Sequence, residues 1–415
     1  MKSENFFYFC KNVKKMKQTI RTKYLETLKN FRDHQVIKVI TGIRRSGKST
    51  LLQQYKNILL ADGVKPSQII SINFEDFDYA ELDNAKALYE YIKPKLNADK
   101  MNYLFFDEVQ HVTDFQKAID GLYVKPLTDI YITGSNATML SGELATLLSG
   151  RYIEISILPL SFAEYYDAKK QNNKSAESIF AEYQRWGGLP YFIQMPHNEQ
   201  MMREYLSGVY NTVVLKDIIS RRSFNDTMML ESVIRFMCDN IGNTLSTKKI
   251  ADTMNSGGRK TDVKTVERYL QALTESFVMY KTKRYDIKGR QYLKTLDKYY
   301  IVDLGIRHYL LGNKGGDSGH ELENIVYLEL LRRGNDIFIG KIGDKEVDFI
   351  AIGNDGTAYY QVSETVRDPN TLERELSSLR QINDAYPKYL LTMDSNAPID
   401  HNGIRQINII DWLLE

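Results

Sequence analysis

Five short apolar runs recur in the first 160 residues, and each is too hydrophobic to lie on an open surface: Val36–Ile40, Ile69–Phe74, Tyr103–Phe106, Ile130–Ile132 and Tyr152–Ile157. Nearly continuous β-branched and aromatic residues are what a strand covered on both faces requires. Amphipathic or polar segments separate the runs, and such alternation builds a parallel sheet in α/β layers. Hydrophobic residues at 43% and charged residues at 26% argue against a largely disordered chain. A net charge of +2 excludes a histone-like polycation while leaving room for a local basic face. No apolar run approaches the roughly 18–20 residues that span a bilayer, and the cluster Phe6–Cys10 is too short for a secretion-signal core. The two cysteines, Cys10 and Cys238, give neither a disulfide framework nor a metal quartet. The expectation is a cytoplasmic protein of two to four domains with no membrane partner. Its first 19 residues read as a loose appendage in which Met16 is an alternative start.

The first apolar run leads directly into Gly42-Ile43-Arg44-Arg45-Ser46-Gly47-Lys48-Ser49, and Thr50 to Tyr55 then open a helix. This is the G-x-x-x-x-G-K-[S/T] pattern, in which glycines let backbone N–H groups close around phosphate oxygens at a helix N-terminus. Gly42, Arg44, Arg45, Ser46, Gly47, Lys48, Ser49 and Thr50 would cradle a nucleoside triphosphate. Lys48 would neutralise its β- and γ-phosphates, and the Ser49 hydroxyl would ligate Mg2+. The competing reading, a glycine turn beside an exposed lysine, explains neither the strand before the pattern nor the helix after it. The third run ends in Asp107-Glu108. Asp107 suits the water shell of the Mg2+, and Glu108 suits the polarisation of an attacking water, which favours ATP hydrolysis over a simple nucleotide switch. After the fourth run come Thr133-Gly134-Ser135-Asn136. There Asn136, or Ser135 in its place, would face the γ-phosphate unless the segment merely caps a turn. Arg151, just before the fifth run, is either an arginine finger reaching a neighbour in a homo-oligomer or an ordinary cation at a helix C-terminus.

Together these segments resemble the AAA+ superfamily of ATPases. More narrowly, they resemble a prokaryotic AAA-like family that joins such an ATPase to a C-terminal domain related to restriction endonucleases. Leu158-Pro159-Leu160-Ser161-Phe162, Gly187-Gly188-Leu189-Pro190 and Tyr300-Ile301-Val302-Asp303-Leu304-Gly305 belong to the same resemblance. It implies a sheet order of 5-1-4-3-2 and a tendency to assemble, and it names no biological process. The expected organisation is an AAA-like P-loop domain with a helical lid over 20–200, a helical and winged-helix domain over 201–311, and a mixed α/β endonuclease-like domain over 312–415.

In the middle segment, helix 247–254, a Ser-Gly-Gly turn, an amphipathic helix from Val263 and an alternating strand towards a tip at Lys288-Gly289-Arg290 follow the winged helix-turn-helix order. Residues 248–298 hold 13 Lys or Arg against 6 Asp or Glu. Arg259, Lys260, Lys264 and Arg268 on the recognition helix, with Lys283 and Arg284 on the wing, are placed to meet duplex DNA. A solvated basic face or an acidic protein partner is the alternative. The endonuclease resemblance implies a helix Glu, a strand Asp and an acid-x-Lys triplet. Glu323 and Asp348 supply the first two, but the triplet reads Gln361-Val362-Ser363 and so lacks its acid and its Lys. A relic fold kept for DNA or partner contact is preferred over a nucleotide-regulated nuclease. The remaining rival is a DNA- or protein-binding regulator that uses ATP as a conformational ligand with little turnover.

Overall fold

The computed structural model describes every residue except 1–18, 136–147, 149, 171–173, 196–197, 217, 220–225, 290, 293–295 and 313–317. The first unit runs α1 (Thr22–Asn30), β1 (Ile37–Thr41), α2 (Lys48–Ala61), β2 (Ile69–Asn73), α3 (Ala85–Ile92), β3 (Asn102–Asp107), α4 (Phe115–Tyr123), β4 (Thr128–Thr133) and β5 (Tyr152–Ser156). Its strands are parallel, in the order β2-β3-β4-β1-β5, which is the expected 5-1-4-3-2 read from the other edge. The two-residue period sends Val39, Leu104, Phe106, Ile130 and Ile132 to one face beneath α3 and α4, and Ile40, Phe105, Tyr131 and Ile155 to the other beneath α1 and α2. All strands run the same way, so Thr41, Asp107 and Thr133 end at one rim of the sheet. The loops that carry chemistry in such sheets leave from that rim. One polar pair interrupts the apolar layers. Lys38 Nζ is 2.5 Å from an Asp129 oxygen, both fully buried, and the Tyr131 hydroxyl donates to the same carboxylate at 2.8 Å.

The helical segment expected as a lid, and named so below, follows with α5 (Phe162–Lys169), α6 (Ala176–Trp186) and α7 (Glu199–Val209). Ser161 and Glu164 close a reciprocal capping box at the start of α5. The middle segment holds α8 (Thr227–Asp239), α9 (Thr247–Ser256) and α10 (Val263–Glu275), then the strands β6 (Met279–Thr282), β7 (Arg284–Asp286), β8 (Gln291–Tyr292) and β9 (Lys298–Ile301), and then α11 (Leu304–Leu311). Strands β6 and β9 pair antiparallel, with β7 and β8 between them in the chain.

The C-terminal unit is α12 (Ser318–Arg332), β10 (Asp336–Ile342), β11 (Lys345–Gly353), β12 (Gly356–Ser363), α13 (Pro369–Arg380), β13 (Lys388–Thr392), β14 (Ile399–Asp400), β15 (Ile404–Asn408) and α14 (Ile409–Leu414). The segment expected as a wing joins this sheet. Instead of standing free, β7 lies parallel to β10 and pairs with β8, so that both join the C-terminal sheet in the order β14-β15-β13-β12-β11-β10-β7-β8. Without β7, the edge of β10 would present a row of unpaired backbone groups. The boundary expected near 312 is therefore bridged by strand pairing, and one apolar core takes in Ile43 and residues from Leu158, just before α5, to Leu413 in α14. Among the described residues, no helix is long and apolar enough to cross a membrane.

Candidate active site

The loop between β1 and α2 is shaped by two glycines. A Cβ on Gly42 would lie 2.2 Å from the Ile157 carbonyl oxygen, and its φ of +139° is closed to other residues in any case. Gly47, at φ +100°, turns the chain into α2, whose first-turn N–H groups at Lys48, Ser49 and Thr50 have no carbonyl within the helix to bond. Such groups suit an anion, with the helix dipole behind them. Lys48 is almost wholly buried, and its Nζ donates to the carbonyls of Gly42 at 3.1 Å and Ile43 at 3.2 Å. It also stands 3.5 Å from a Glu108 oxygen. Burial pushes the Lys48 ammonium below its ordinary pKa, and the neighbouring Glu108 and Asp107 only partly offset that.

Glu108 leaves β3 with φ +53°, a left-handed conformation that costs a non-glycine residue energy and turns its side chain back over the rim. Its second oxygen accepts from Gln110 Nε2 at 2.5 Å. Burial raises its carboxyl, but Lys48, Gln110 and Arg44 outweigh burial and leave it below the usual value. Thr133 ties the two acids together: its hydroxyl donates to Asp107 Oδ1 at 2.5 Å and accepts from the Glu108 N–H at 2.8 Å. The sequence offered Ser135 and Asn136 for this neighbourhood. Ser135 is buried, and Asn136 lies outside the described residues.

A residue that the motifs did not announce is Arg21. It is 3% exposed, and it donates to the Ser46 carbonyl at 3.1 Å, the Leu158 carbonyl at 2.9 Å and Glu164 at 2.8 Å. It clamps the phosphate loop to the start of the lid. Nothing in the sequence separates it from the neighbouring surface cations. Arg44 reaches towards Glu75 at 3.7 Å, and Arg45, at φ +66°, lies over the Tyr205 ring at 5.4 Å. Arg151 precedes β5 at the opposite rim, where its carbonyl accepts from the Ile37 N–H and its guanidinium pairs with Asp120 of its own chain.

Between loop and lid opens a cleft of ≈ 480 Å³, bounded by Lys48, Ser49 and Glu108 at one end and by Pro190, Gln194 and Tyr205 at the other. That volume is in the range that holds a nucleotide-sized ligand. The Ser46 hydroxyl in the loop is buried, with no hydrogen-bond partner among the described residues. The glycine cradle, the first turn of α2 and this hydroxyl fit a polyphosphate, and the Ser49 hydroxyl and Asp107 carboxylate are hard oxygen donors of the kind Mg2+ takes.

The other expected residues fall in two places. Lys260, Lys264 and Arg268 are exposed and Arg259 is half-exposed around α10, while Lys283 and Arg284 sit at the joint with the C-terminal sheet, their backbone beside β10. In the C-terminal unit, Glu323 accepts from Tyr300 at 2.6 Å and from Lys298 Nζ at 3.0 Å, and Lys298 also meets Glu346 at 2.7 Å. The lysine missing from β12 is thus matched by one from β9. On sequence it was counted with the basic face, but it is buried. Asp348 accepts from the Val362 N–H at 2.8 Å; burial, then the nearby Glu323, push its carboxyl well above the ordinary range. Gln361 turns to Glu375 at 2.9 Å, and the Ser363 hydroxyl donates to the Thr365 carbonyl at 3.2 Å. Among the described residues, no group of three His, Cys, Asp or Glu is arranged to hold a metal ion.

The sheet order, the glycine loop and the acids at the rim of β3 define an AAA-type P-loop NTPase core. Residues 34–166 match the model of an AAA domain, and residues 177–317 match a domain of unknown function (DUF8612). The fold is shared with the Walker-type ATPase PABY2304 of Pyrococcus abyssi, with a TM-score of 0.50 and 15% identity over 70% of this chain and 95% of that one. An uncharacterized protein of Haemophilus influenzae is 42% identical over 398 residues, 95% of this chain and 98% of its own length, and this chain belongs to its family. The uncharacterized protein MJ1544 of Methanocaldococcus jannaschii is 29% identical over 369 residues, 83% of this chain and 79% of its own.

Proposed function

We propose that the chain hydrolyses ATP to ADP and phosphate and uses the cycle to move its lid against the middle and C-terminal units. The observation that carries this is the convergence of Lys48, Ser49 and Glu108 on one cleft, with Asp107 tied to Glu108 through Thr133. Lys48 leaves the loop carbonyls for the β- and γ-phosphates, which releases Glu108 from it. Glu108, held in its ionised form, then accepts a proton from the attacking water. Thr133 holds Asp107 and the Glu108 backbone in register. Mg2+, held by Ser49 and through water by Asp107, would supply charge neutralisation at the phosphates. Asn136 is proposed to help place the water. Arg151 is proposed to reach the nucleotide of a second copy, for which its pair with Asp120 must open.

The expected result for Glu108→Gln is ATP affinity within a few-fold of wild type, with turnover lower by roughly 10²–10⁴-fold. Phosphate release measured at saturating ATP decides it, and a variant that hydrolyses at the wild-type rate sinks the assignment of the base.

A path from the cleft to the rest of the chain supports the mechanical part. Asp303 accepts from the Gly188 N–H at 2.7 Å, two residues before Pro190 in the cleft wall. A Cβ on Gly187 would lie 2.1 Å from the same carboxylate. Asp303 also caps α11 and follows closely on β9, the strand that carries Lys298 and Tyr300 to Glu323.

The winged-helix reading of the middle segment rests on its helices followed by the β6–β9 pair, and DNA contact rests on the exposed Lys260 and Lys264 with Lys248 and Lys249 nearby. Duplex DNA is expected to bind at low salt and to weaken steeply as salt rises, with a log–log slope of about −0.9 per phosphate contacted. Fluorescence anisotropy at 50 and 200 mM salt reads this out, and weak, salt-independent binding contradicts it. The C-terminal unit we read as an uncleaving relic, its acids neutralised by Lys298 rather than by a metal.

A further inference from the structure

Between the second acid of β3 and helix α4 the chain makes one tight turn, and that turn aims a side chain at the proposed base. Val109–His111 form a single 3-10 turn, in which the His111 N–H bonds the Glu108 carbonyl at 3.2 Å and the Val112 N–H bonds the Val109 carbonyl at 3.0 Å. Val109 and Val112 are buried, so the backbone of Gln110 is anchored on both sides. From there a side chain of glutamine length reaches back two residues, and its Nε2 donates to Glu108 Oε2 at 2.5 Å. An ionised carboxylate only accepts, so the amide presents its N–H to Glu108 and not its oxygen. The two oxygens of Glu108 are thus held separately: Oε1 stands 3.5 Å from Lys48 Nζ, and Oε2 is bonded by Gln110. Lys48 and Glu108 belong to the cleft wall, whereas Gln110 stands behind it. The Gln110 Oε1 is buried with no donor among the described residues. A buried acceptor without a donor costs stability, so packing does not explain a glutamine at this position, and its bond to Glu108 does.

We propose that Gln110 is the positioning residue of the general base: by holding Oε2 it fixes the Glu108 carboxylate so that Oε1 is the oxygen that takes the proton from water. This rests on the ATPase reading and names how its base is aimed. When Lys48 moves to the phosphates, Oε1 loses its cation and is left open to the cleft. Oε2 keeps its bond, because Gln110 lies on the far side of the carboxylate from the nucleotide. As the water oxygen bonds the γ-phosphorus, its proton passes to Oε1. The bond from that phosphorus to the β–γ bridging oxygen breaks, and its electron pair leaves on ADP. Without Gln110 the carboxylate turns about its last side-chain torsion, which is broad for glutamate, and the aimed geometry becomes one of several. A loosely held base slows the chemical step while leaving the phosphate contacts, made by the loop and Lys48, as they are.

The test measures kcat and KM for Mg·ATP by phosphate release from the full-length protein, in wild type, Gln110→Met, Glu108→Gln and the double variant. Methionine keeps the length of the side chain and removes its N–H donor. Gln110→Met is expected to lower kcat by roughly 10–100-fold, the span of one hydrogen bond to a charged group, with KM within about threefold of wild type. In the Glu108→Gln background the same substitution is expected to change turnover by less than about threefold, since a residue that acts through the base has nothing left to aim. Gln110→Asn, whose amide is withdrawn by one methylene, is expected to lose kcat in the same way, and replaces the methionine variant should that one not fold. Wild-type kcat in Gln110→Met, a raised kcat, a loss carried by KM alone, or an equal loss in the Glu108→Gln background overturns the inference while leaving the ATPase standing. Absence of ATP hydrolysis by the wild type overturns the ATPase reading and this inference together.

Discussion

Lys48→Ala is expected to remove measurable ATP binding. Truncating one member of a buried, hydrogen-bonded charge pair costs about 2–5 kcal/mol, which is roughly 30- to 5,000-fold in affinity at 1.4 kcal/mol per tenfold. The upper part of that span applies, because Lys48 sits at the closed end of the loop, where water cannot take over its role. Lys48→Arg should rescue little, since a planar guanidinium cannot occupy a channel shaped by the Gly42 and Ile43 carbonyls. Calorimetric titration of both variants with Mg·ATP, beside Glu108→Gln as the variant expected to keep binding, separates loss of the phosphate contact from loss of the fold. Wild-type affinity in Lys48→Ala would remove the triphosphate from this cleft. The free variant has a second signature. With Lys48 gone, the strongest influence holding the Glu108 carboxyl low is absent, so burial raises its pKa.

The second large effect concerns stability. Lys298→Met is expected to destabilise the C-terminal unit by about 3–5 kcal/mol at neutral pH, because Glu323 and Glu346 lose a shared cation while Glu323 stays buried. In the wild type, burial raises the Glu323 carboxyl, but Lys298, His320 and Tyr300 outweigh it and leave it low. In the variant, burial dominates, and the folded-state pKa moves above the unfolded one. A carboxyl shifted that way stabilises the fold when protonated and weakens it as pH rises through the folded pKa. The deficit against wild type should therefore be largest at pH 7.5 and shrink towards pH 5. Thermal unfolding at the two pH values measures it, with a shift on the order of 10 °C expected at the higher pH. Glu323→Gln combined with Lys298→Met should recover much of the loss, since removing both partners leaves no stranded charge. A deficit of equal size at both pH values would assign the role of Lys298 to packing, and no deficit would show that the cluster carries no stability.

Much of the first unit was legible because its signals are local. Continuous apolar runs at Val36–Ile40 and Tyr103–Phe106 mark strands covered on both faces, and a glycine loop between a strand and a helix has few other uses. The same holds in the C-terminal unit, where the alternation through Glu346–Ile352 and Thr357–Val362 became β11 and β12. Thr133 was visible as part of a motif, yet its bond to Asp107 depends on β3 and β4 lying side by side, and no spacing along the chain encodes that. Lys298 was misread for a related reason. Composition counts a lysine as exposed by default, and burial at a joint between units reverses the count. Nothing local foretold that the strand expected in the wing would pair with the edge of β10, since that pairing joins segments distant in the chain.

By itself the sequence determined the elements with strong periodicity and the loop that meets phosphate, since backbone freedom at Gly42 and Gly47 and side-chain periods of two and 3.6 act within a few residues. Tertiary structure alone decided which distant groups share a dielectric and a hydrogen bond: Arg21 with Ser46, Asp303 with Gly188, Lys298 with Glu323. Those pairs are 25 to 115 residues apart. Their strength comes from desolvation, which exists only once the chain has closed around them.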